Sequence, residues 1–466
     1  MAEYKTKTAV GERWIGMADS GWIAHTVWWQ IYPLGFVGAA RESGPPGTPV
    51  VHGLRKLIGW LDYAVRLGAS GIAFGPIFAS ETHGYDTVDY FRIDPRLGDE
   101  DDFDALIAAC RARGLRVLLD GVFNHVGRGF PAFRQVLDDG PAAASASWFR
   151  LSWPAGAFRP GIEPAYEDFE GHRQLVALNH DDAEVAAYVG QVMKYWLARG
   201  ADGWRLDAAY AVPAHFWSTV QGRVRKEFPQ AYFVGEFIHG DYVAAVHEGS
   251  LDSATQYELW KAIWSSLNDG NFYELASALE RHNTFLSAYP PLTFVGNHDV
   301  TRIASRLNDS RFLPHALVIL FTAGGTPSVY AGDEQGFRGI KEDRVGGDDA
   351  IRPEFPEHPD DLSPLGLEIF RLHQDLIGLR RRNPWLHRAR TEPISVANEQ
   401  LVYRLTDGTH ALAVLLNLAD RPLTAQIPGQ PQIMAGRASL FTAGNTGSVV
   451  VPPQGWAVLD SSGAPA

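Results

Sequence analysis

The sequence contains very little cysteine. Cys110 is the only cysteine among 466 residues, so an intramolecular disulfide is excluded. It lies in the apolar-periodic run from Phe103 to Ala112 and is predicted to be a buried structural thiol. The fold must therefore rest on its core, and a chain of this length with 45% hydrophobic residues can bury a large one.

Long apolar segments are also missing. No run approaches the roughly 18 apolar residues of a membrane span. The N-terminal residues MAEYK lack the apolar region of a secretory signal peptide. These absences predict that no segment crosses a membrane and that the protein is cytoplasmic.

Positive charge is scarce relative to negative charge. The 41 Lys and Arg residues against 54 Asp and Glu residues give a net charge of −13 at pH 7. An acidic surface repels the phosphates of nucleic acids and anionic lipids, so neither nucleic acid nor membrane is predicted as a partner. A neutral oligosaccharide is compatible with this charge. The 14 Trp and 16 Tyr residues include faces that could stack on sugar rings, although most such side chains fill cores.

Short apolar segments alternate with helical patterns along most of the chain. The alternation predicts an α/β fold, and eight strands favour a (β/α)8 TIM barrel. Predicted helices are Leu54–Leu67, Asp102–Arg113 and Val185–Arg199, the last two followed by Gly114 and Gly200. A doubly wound open sheet is the alternative, but no Gly-rich phosphate loop follows the first strand. The predicted strands are Val27–Tyr32, Gly71–Phe74, Arg116–Asp120, Gly203–Asp207, Tyr232–Glu236, Ala254–Tyr257, Leu292–Gly296 and Pro327–Tyr330.

Two stretches break this pattern and predict further domains. Residues 126–179, after the third strand, are rich in Gly, Pro, Ala and aromatic residues and predict an excursion domain over the barrel mouth. Residues 391–466 contain short alternating strands and predict an antiparallel β-sandwich domain. The barrel then comprises residues 1–125 and 180–390. The predicted C-terminal strands are Leu401–Leu405, His410–Asn417, Thr424–Ile427, Ser448–Val451 and Gly455–Leu459.

Polar and charged side chains stand at the carboxyl ends of four predicted barrel strands. Active sites of such barrels are built at this end, so we expect these side chains to converge on one axis. They are Asp120, Asn124 and His125 at the third strand, Arg205 and Asp207 at the fourth, Glu236 at the fifth, and His298 and Asp299 at the seventh.

Three of the four carboxylates in this set, Asp207, Glu236 and Asp299, would share one cleft. Two carboxylates that flank a glycosidic bond are the apparatus of glycoside hydrolysis, and the candidates are Asp207, Glu236 and Asp299. Crowding of like charges raises the pKa of one member and keeps it protonated near neutral pH. Arg205 points to the same side of its strand as Asp207 and can keep that carboxylate ionised. The two histidines offer neutral donors for sugar hydroxyls.

The segments around these residues resemble the four signature regions of the α-amylase superfamily, glycoside hydrolase family 13. They occur in the family's order and are DGVFNH (Asp120–His125), GWRLD (Gly203–Asp207), FVGEF (Phe233–Phe237) and FVGNHD (Phe294–Asp299). The segment GTPSVYAGDEQGF (Gly325–Phe337) resembles the family's eighth-strand region. The resemblance covers roughly Val27 to Pro384 and implies a retaining α-glycoside hydrolase.

The resemblance also implies a role for each matching residue. Asp207 would be the nucleophile that forms a glycosyl-enzyme, Glu236 the general acid and then base, and Asp299 a third carboxylate that binds sugar hydroxyls. Asp120 and Asn124 would be structural supports. The remaining residues implied to bind the sugar are Tyr85, His125, Arg205 and His298, with Asp348 and Arg352 in the segment GGDDAIR.

Within the family, HGYDTVDYFRIDPRLGD (His83–Asp99) and FVGEFIHGD (Phe233–Asp241) resemble the neopullulanase and cyclomaltodextrinase branch. This implies cleavage of α-1,4 bonds, and also of α-1,6 bonds, in small malto-oligosaccharides or in cyclic glucans such as cyclodextrin or cyclic maltosyl-maltose. That branch usually begins with an extra β-sandwich domain. The first barrel strand already begins at Val27, so the sequence resembles the branch's compact members that open small cyclic saccharides.

Departures from the branch fall on the acceptor side of the cleft. Ile238 stands where Trp is usual, Tyr210 and Ala211 replace a polar pair, and Pro353–Pro356 replaces Pro-Met-x-Trp. These departures leave open a transglycosylating glucanotransferase. An exo-acting α-glucosidase is a further alternative, which Thr82 disfavours because such enzymes usually carry Asp there. A carbohydrate-binding protein without activity is disfavoured because all three carboxylates are present.

No cofactor and no required metal are predicted. Some family members bind calcium near Asn124, and Asp138, Asp139 and Asp168 could contribute ligands here. However, the sequence has no compact run of oxygen ligands like that of a dedicated calcium loop. A homodimer is the predicted assembly, although the usual dimerising domain is absent.

Overall fold

A computed structural model describes residues 21–45, 47–154, 158–443 and 446–461. Eight short strands form its central sheet. They are β1 (Trp28–Ile31), β2 (Gly71–Phe74), β3 (Arg116–Gly121), β4 (Gly203–Leu206), β5 (Tyr232–Gly235), β6 (Ser253–Ala254), β7 (Leu292–Phe294) and β8 (Thr326–Tyr330). Neighbouring strands are parallel and follow the order β6-β5-β4-β3-β2-β1-β8-β7.

The sheet closes between its two outer strands, β6 and β7. Thr255, just after β6, forms a parallel bridge with Leu292. The N–H of Gln256 also donates to the Leu292 carbonyl at 2.9 Å. The closed parallel sheet confirms the predicted (β/α)8 barrel.

The crossover helices begin and end where the local sequence favours it. Asp99 and Asp102 form a capping box at the start of helix Glu100–Ala112. Helix Leu54–Leu67 ends at Gly68, whose φ of 102° lies in the left-handed region that glycine tolerates. The other α-helices outside the excursion are Pro33–Phe36, Ala183–Ala198, Ala214–Val224, Tyr242–Glu248, Tyr257–Asp269, Phe272–Ala288, Ile303–Arg306, Leu313–Thr322 and Leu367–Arg382.

Successive side chains along the barrel strands point to opposite faces of the sheet and so form two apolar layers. On β1, Trp28 belongs to a cluster inside the barrel with Leu118 and Val234, whereas Trp29 belongs to the larger core between strands and helices. Cys110 is fully buried in that outer core, as predicted. No helix in the described ranges is long and apolar enough to cross a membrane.

The chain between β3 and helix Ala183–Ala198 forms the excursion over the barrel mouth. Its central unit is a three-stranded antiparallel sheet in which His172–Ala177 pairs with His125–Gly127 and with Asp168–Phe169. The helix Pro131–Asp139 and the short pair Leu151–Ser152 with Ala165–Tyr166 complete it. A hairpin of Phe78–Ser80 with Thr87–Ile93, which the sequence analysis did not predict, follows β2 and carries Tyr85 in its connection.

The C-terminal region forms two antiparallel sheets of five and three strands. Side chains from both sheets, among them Val402, Leu415, Ile427 and Val449, share one apolar cluster, which confirms the predicted sandwich. Three strands were not predicted: Arg390–Val396, Gln432–Gly436 and Ser439–Ala443. The eight strands are Arg390–Val396, Gln400–Thr406, Ala411–Asn417, Leu423–Pro428, Gln432–Gly436, Ser439–Ala443, Thr446–Val451 and Trp456–Asp460. The domain bounds proposed from the sequence stay predictions.

The sixth barrel strand differs from its predicted span. Strand β6 ends at Ala254, and Tyr257 begins a helix instead of ending a strand. The side chain of Gln256 accepts a hydrogen bond from the Leu259 N–H at 3.4 Å. This cap starts the helix and ends the extended backbone.

Candidate active site

The carboxylates predicted from the sequence meet at the carboxyl end of the barrel. Asp207 and Glu236 directly follow β4 and β5, and Asp120 lies near the end of β3. Their backbones continue the ladder of the sheet. The Asp207 N–H donates to the Gly121 carbonyl at 3.0 Å, and the Glu236 N–H donates to the Leu206 carbonyl at 2.9 Å. Adjacent strands therefore set these side chains next to one another.

Arg205 connects Asp120, Asp207 and Glu236. It lies two positions before Asp207 and on the same face of β4. Its Nη1 donates to Oδ1 of Asp120 at 2.8 Å and to Oδ1 of Asp207 at 2.7 Å, and its Nη2 lies 2.6 Å from Oε1 of Glu236. Asp207 and Glu236 are only 7% and 8% exposed, so solvent screens these contacts weakly.

The electrostatics of this cluster follow from burial and crowding. Burial raises the pKa of Asp207 well above its ordinary value; Arg205 opposes this shift, and Glu236 and Asp120 add to it. Burial likewise raises the pKa of Asp120. Burial lowers the pKa of Arg205, but the surrounding carboxylates outweigh it and raise that pKa. One guanidinium cannot balance three full negative charges, so the cluster favours retention of a proton, as acid–base catalysis requires.

Glu236 is fixed through both of its carboxylate oxygens. Ala208 has a φ of 45°, a left-handed conformation that is costly for a residue with a Cβ. In this conformation its N–H donates to Oε2 of Glu236 at 3.0 Å. The Tyr257 hydroxyl donates to Oε1 at 3.2 Å and accepts from Nδ2 of Asn297 at 2.9 Å. The strained residue directly after Asp207 thus helps to orient Glu236.

Asp299 lies on the loop after β7 and is held by two basic side chains. Nη2 of Arg352 donates to Oδ1 of Asp299 at 2.8 Å, and Nε2 of His298 lies 2.9 Å from Oδ2. Arg352 also donates to the His298 carbonyl at 2.8 Å and pairs with Asp348 at 3.1 Å. Burial alone would raise the pKa of Asp299, but His298 and Arg352 outweigh it, and the pKa is lowered. Asp299 is therefore an ionised acceptor, suited to sugar hydroxyls.

Aromatic rings line the floor of the site beside His298. The ring of Tyr85 stacks on it at 5.6 Å between centroids, and the ring of Tyr32 at 6.0 Å. The Tyr85 hydroxyl contacts Nε2 of His298 and donates to Oδ2 of Asp120 at 3.2 Å. Nε2 of Gln30 lies 3.2 Å from Nδ1 of His298. These contacts fix the histidine and place two aromatic rings beside it.

His125 is placed beside the site, but its ring nitrogens are engaged by the protein. Nδ1 lies 3.1 Å from Nδ2 of Asn124, and Nε2 lies 3.0 Å from the Tyr85 carbonyl. Burial lowers the pKa of His125 to about 3, so the ring is neutral. Phe169 of the excursion stacks on this ring at 4.7 Å. The predicted contact of His125 with the sugar stays a prediction.

The sequence analysis missed four residues that contact the predicted site: Gln30, Tyr32, Tyr257 and Asn297. Asn297 lies within the segment FVGNHD and could have been found from it. Gln30 and Tyr32 stand at the carboxyl end of the first strand, where the rule applied to the other strands would have found them. Tyr257 was assigned to a strand and therefore not considered.

Metal-ligating side chains outside the cleft give little indication of a metal site. In the described part of the chain, three such groups come within reach of one another at His52, Asp99 and Asp102. The two aspartates cap a helix, and Asp102 also pairs with Arg55 at 2.7 Å, so their positions are explained without a metal. Asp138, Asp139 and Asp168, considered above for calcium, are not members of this group. The absence of a required metal stays a prediction.

Comparison with known proteins supplies independent findings. Residues 30–364 match the alpha amylase catalytic domain. A cyclomaltodextrinase from Geobacillus thermopakistaniensis (strain MAS1) is 31% identical over 432 residues, which are 87% of this chain and 71% of that protein. Cyclic α-maltosyl-(1→6)-maltose hydrolase from Arthrobacter globiformis, in complex with its cyclic saccharide, has a TM-score of 0.78 at 27% identity and covers 96% of this chain and 100% of its own. The acarbose-soaked debranching enzyme from Nostoc punctiforme has a TM-score of 0.78 at 26% identity with the same coverage.

Proposed function

The chain belongs to the α-amylase family of glycoside hydrolases, and we propose that it cleaves α-1,4-glucosidic bonds in small malto-oligosaccharides or cyclic glucans with retention of configuration. The same site would take α-1,6 bonds as a second linkage. The observation that carries the proposal is the single Arg205 guanidinium between Asp207 and Glu236. It brings two carboxylates to one point of the cleft, as a double displacement needs.

In the proposed mechanism, Asp207 attacks the anomeric carbon while Glu236 gives its proton to the departing glycosidic oxygen. The bond to the leaving sugar breaks as the β-glycosyl ester on Asp207 forms. Glu236, now ionised, takes a proton from water, and the resulting hydroxide equivalent displaces Asp207 from the sugar. Two inversions give net retention. Both carboxylates lie within 2.7 Å of Arg205. These short distances support a separation of about 5–5.5 Å between the carboxyl groups of Asp207 and Glu236, which is typical of retaining enzymes.

The other residues of the site would bind and orient the sugar. Asp299, kept ionised by Arg352, would accept sugar hydroxyls, and Tyr85 would stack against the ring. His298 would donate once the sugar displaces one of its present partners. Asp348 would act mainly by holding Arg352, since the two pair at 3.1 Å.

The experiment that tests this function is timed product analysis on maltotetraose, panose, pullulan, cyclodextrin and a cyclic tetrasaccharide of maltose units. We expect a cyclic substrate to be opened rapidly, with maltose as the end product. Glucose from every linear substrate, with the cyclic ones untouched, would overturn the proposal in favour of an exo-acting α-glucosidase. The Asp207→Asn variant serves as the inactive control.

A second candidate function is sugar transfer in place of hydrolysis. Ile238, two residues after Glu236, is 42% exposed, and an exposed apolar side chain beside the acid suits an acceptor sugar better than water. Longer oligosaccharides at high substrate concentration would support this function, and their absence would count against it.

The cytoplasmic location and the homodimer stay predictions. Sedimentation of the purified protein tests the homodimer.

A further inference from the structure

The segment His83–Asp99 ends with a buried arginine that the proposed mechanism does not use. Arg96 follows the hairpin strand Thr87–Ile93 and is 6% exposed. Its Nε donates to Oδ1 of Asp94 at 2.9 Å, and its Nη2 donates to Oδ2 of the same carboxylate at 2.7 Å. Nη2 also donates to Oγ of Ser80 at 2.8 Å. A bidentate ion pair thus anchors the guanidinium beside the hairpin.

The remaining nitrogen of Arg96 joins two loops through their backbones. Nη1 donates to the Thr82 carbonyl at 2.6 Å, in the connection of the hairpin, and to the carbonyls of Ala40 and Arg41 at 3.0 Å, in the loop after β1. All five N–H groups of the side chain are then engaged. None is left for a ligand or for the reacting carboxylates, so Arg96 can affect the reaction only through the loops that it holds.

The loop after β1 depends on such polar contacts. Residues 40–42 are exposed, so little apolar burial holds them in place. The N–H of Ser43 donates to the Glu81 carbonyl at 2.9 Å, and the Ser43 hydroxyl contacts the Ser80 carbonyl. Hydrogen bonds to the hairpin, including those of Arg96, therefore set the position of this loop.

The hairpin end of this assembly reaches the aromatic rings of the predicted sugar site. Thr82 directly precedes His83, whose carbonyl accepts a hydrogen bond from the Tyr32 hydroxyl at 2.8 Å. The Tyr85 N–H donates to Nδ1 of His83 at 3.2 Å. Tyr32 and Tyr85 are the two rings that stack beside His298. The position of the Thr82 carbonyl therefore bears on both rings.

The loop end of the assembly reaches the segment after β8. Arg41 forms an ion pair with Asp349. The preceding residue, Asp348, pairs with Arg352 at 3.1 Å. The Arg352 guanidinium also lies 4.5 Å from the centre of the Tyr32 ring. Both ends therefore converge on side chains in or beside the predicted sugar site.

We propose that Arg96 is a positioning residue that ties the loop after β1, the hairpin after β2 and the segment after β8 into one preorganised wall, and so sets the affinity of the site for its sugar. This inference rests on the proposed function, because it takes Tyr85 and Arg352 as sugar-binding residues. Loops that are already ordered cost less free energy to fix when the sugar binds. An interaction that is equally strong before and in the transition state lowers KM and leaves kcat unchanged.

Arg96→Lys tests the wall without leaving the buried Asp94 unpaired. An ammonium group can neutralise this carboxylate, but it has three donors and no planar fork, so it cannot also hold the three carbonyls. In the inactive Asp207→Asn background, the Kd for maltotriose, measured by isothermal titration calorimetry, should rise about tenfold, the effect of losing one or two hydrogen bonds. With Asp207 intact, KM for maltotriose should rise by a similar factor, and kcat should change by less than about twofold.

Arg113→Lys is the matched control. Arg113 also donates to a carboxylate, that of Asp62 at 2.7 Å, and to a carbonyl, that of Ala109 at 3.1 Å, but it lies at the end of helix Glu100–Ala112. Neither Kd nor KM should change in this variant.

Two outcomes would overturn the wall and leave the proposed function intact. A fall in kcat of Arg96→Lys at constant KM and Kd would mean that Arg96 supports folding alone, because unfolding lowers the amount of active protein and not its affinity. Unchanged kcat, KM and Kd would mean that the site does not depend on Arg96. Wild-type protein that neither binds nor cleaves maltotriose would overturn the proposed function and the wall together.

A second variant covers a failure of Arg96→Lys to fold, as judged by circular dichroism. The double variant Asp94→Asn/Arg96→Gln removes both buried charges together, so neither is left without a partner. Gln offers two donors in place of five, so the loop carbonyls again lose contacts, and Kd and KM should rise. Constants equal to those of the wild type would overturn the proposal.

Discussion

Nη1 of Arg205 lies 2.7 Å from Oδ1 of Asp207, two residues further along the chain. The same guanidinium also contacts Glu236, so it bridges both predicted catalytic carboxylates, and its charge lowers the pKa of Asp207. Replacement of Arg205 therefore tests the electrostatics of the site as well as its geometry.

Arg205→Gln removes the charge that lowers the pKa of Asp207. That pKa should rise further, so the acidic limb of the pH profile of kcat/KM should move to higher pH, because Asp207 must be ionised to attack. We also expect kcat to fall by about 100-fold or more, as when other preorganised charges are removed from active sites. Arg205→Lys is the control that keeps the charge. An acidic limb that stays in place, or moves to lower pH, in Arg205→Gln would refute this electrostatic role.

Glu236→Gln should separate the acid step from nucleophilic attack. With maltotriose the leaving sugar needs a proton, so activity should fall by roughly 100- to 10,000-fold. With α-maltosyl fluoride the leaving group needs much less assistance, and formation of the glycosyl-enzyme should be impaired far less. Initial rates on the two substrates measure the difference, and equal losses would argue against Glu236 as the general acid.

Much of this site could be predicted from the sequence because its chemistry follows strand ends. Asp207, Glu236 and Asp299 stand where apolar strands give way to polar residues, and in a closed barrel those positions share one rim. The pattern could not show that Arg205 would contact Asp120 and Glu236 as well as Asp207. These contacts depend on the side-by-side order of β3, β4 and β5.

Other parts of the structure could not be predicted from sequence patterns, for reasons that the structure identifies. Tyr257 looked like the end of a strand, but capping by Gln256 turned the chain into a helix. Gln30 contacts His298 across 268 positions of sequence, which no local pattern encodes. The C-terminal strand Gln432–Gly436 is mostly exposed and lacks the apolar alternation that identifies a half-buried strand. The first case depends on a local cap that the strand pattern concealed, whereas contacts between distant parts of the sequence determine the other two.

Arg352→Ala should disturb the sugar-binding side of the site. It removes the donor at 2.8 Å from Asp299 and frees the His298 carbonyl, so Asp299 loses both its position and part of the effect that lowers its pKa. We expect kcat/KM to fall about 10- to 100-fold, the cost of leaving a partly buried charge without its partner. Steady-state kinetics on maltotriose measures this. Lys341→Ala is the control, because Lys341 is half-exposed and lies 3.7 Å from Asp348. A loss as large in the control would show that the loop, and not Arg352, is responsible.

The buried carboxyl of Glu334 should make stability depend on pH. It accepts hydrogen bonds from Tyr63 at 2.8 Å and from the Gly332 N–H at 2.9 Å, and burial raises its pKa from 4.5 to about 7. A carboxyl with a raised folded-state pKa contributes stability below pH 4.5 that is lost as the pH rises to about 7. Glu334→Gln cannot titrate, so its free energy of unfolding relative to wild type should improve by about 3 kcal/mol across this window.

Urea unfolding of wild type and Glu334→Gln at intervals from pH 4.5 to 8 measures this difference. A constant difference between Glu334→Gln and wild type would mean that Glu334 does not titrate between pH 4.5 and 7 in the folded protein.

The most direct test of the central claim is to trap the covalent intermediate and locate it. The protein is incubated with a fluorinated α-glucosyl fluoride that glycosylates the enzyme faster than water releases it, and the modified peptide is identified by mass spectrometry. The account predicts one glycosyl group per chain, attached to Asp207. A label on another residue, or turnover of the reagent to a β-configured product without an adduct, would contradict it.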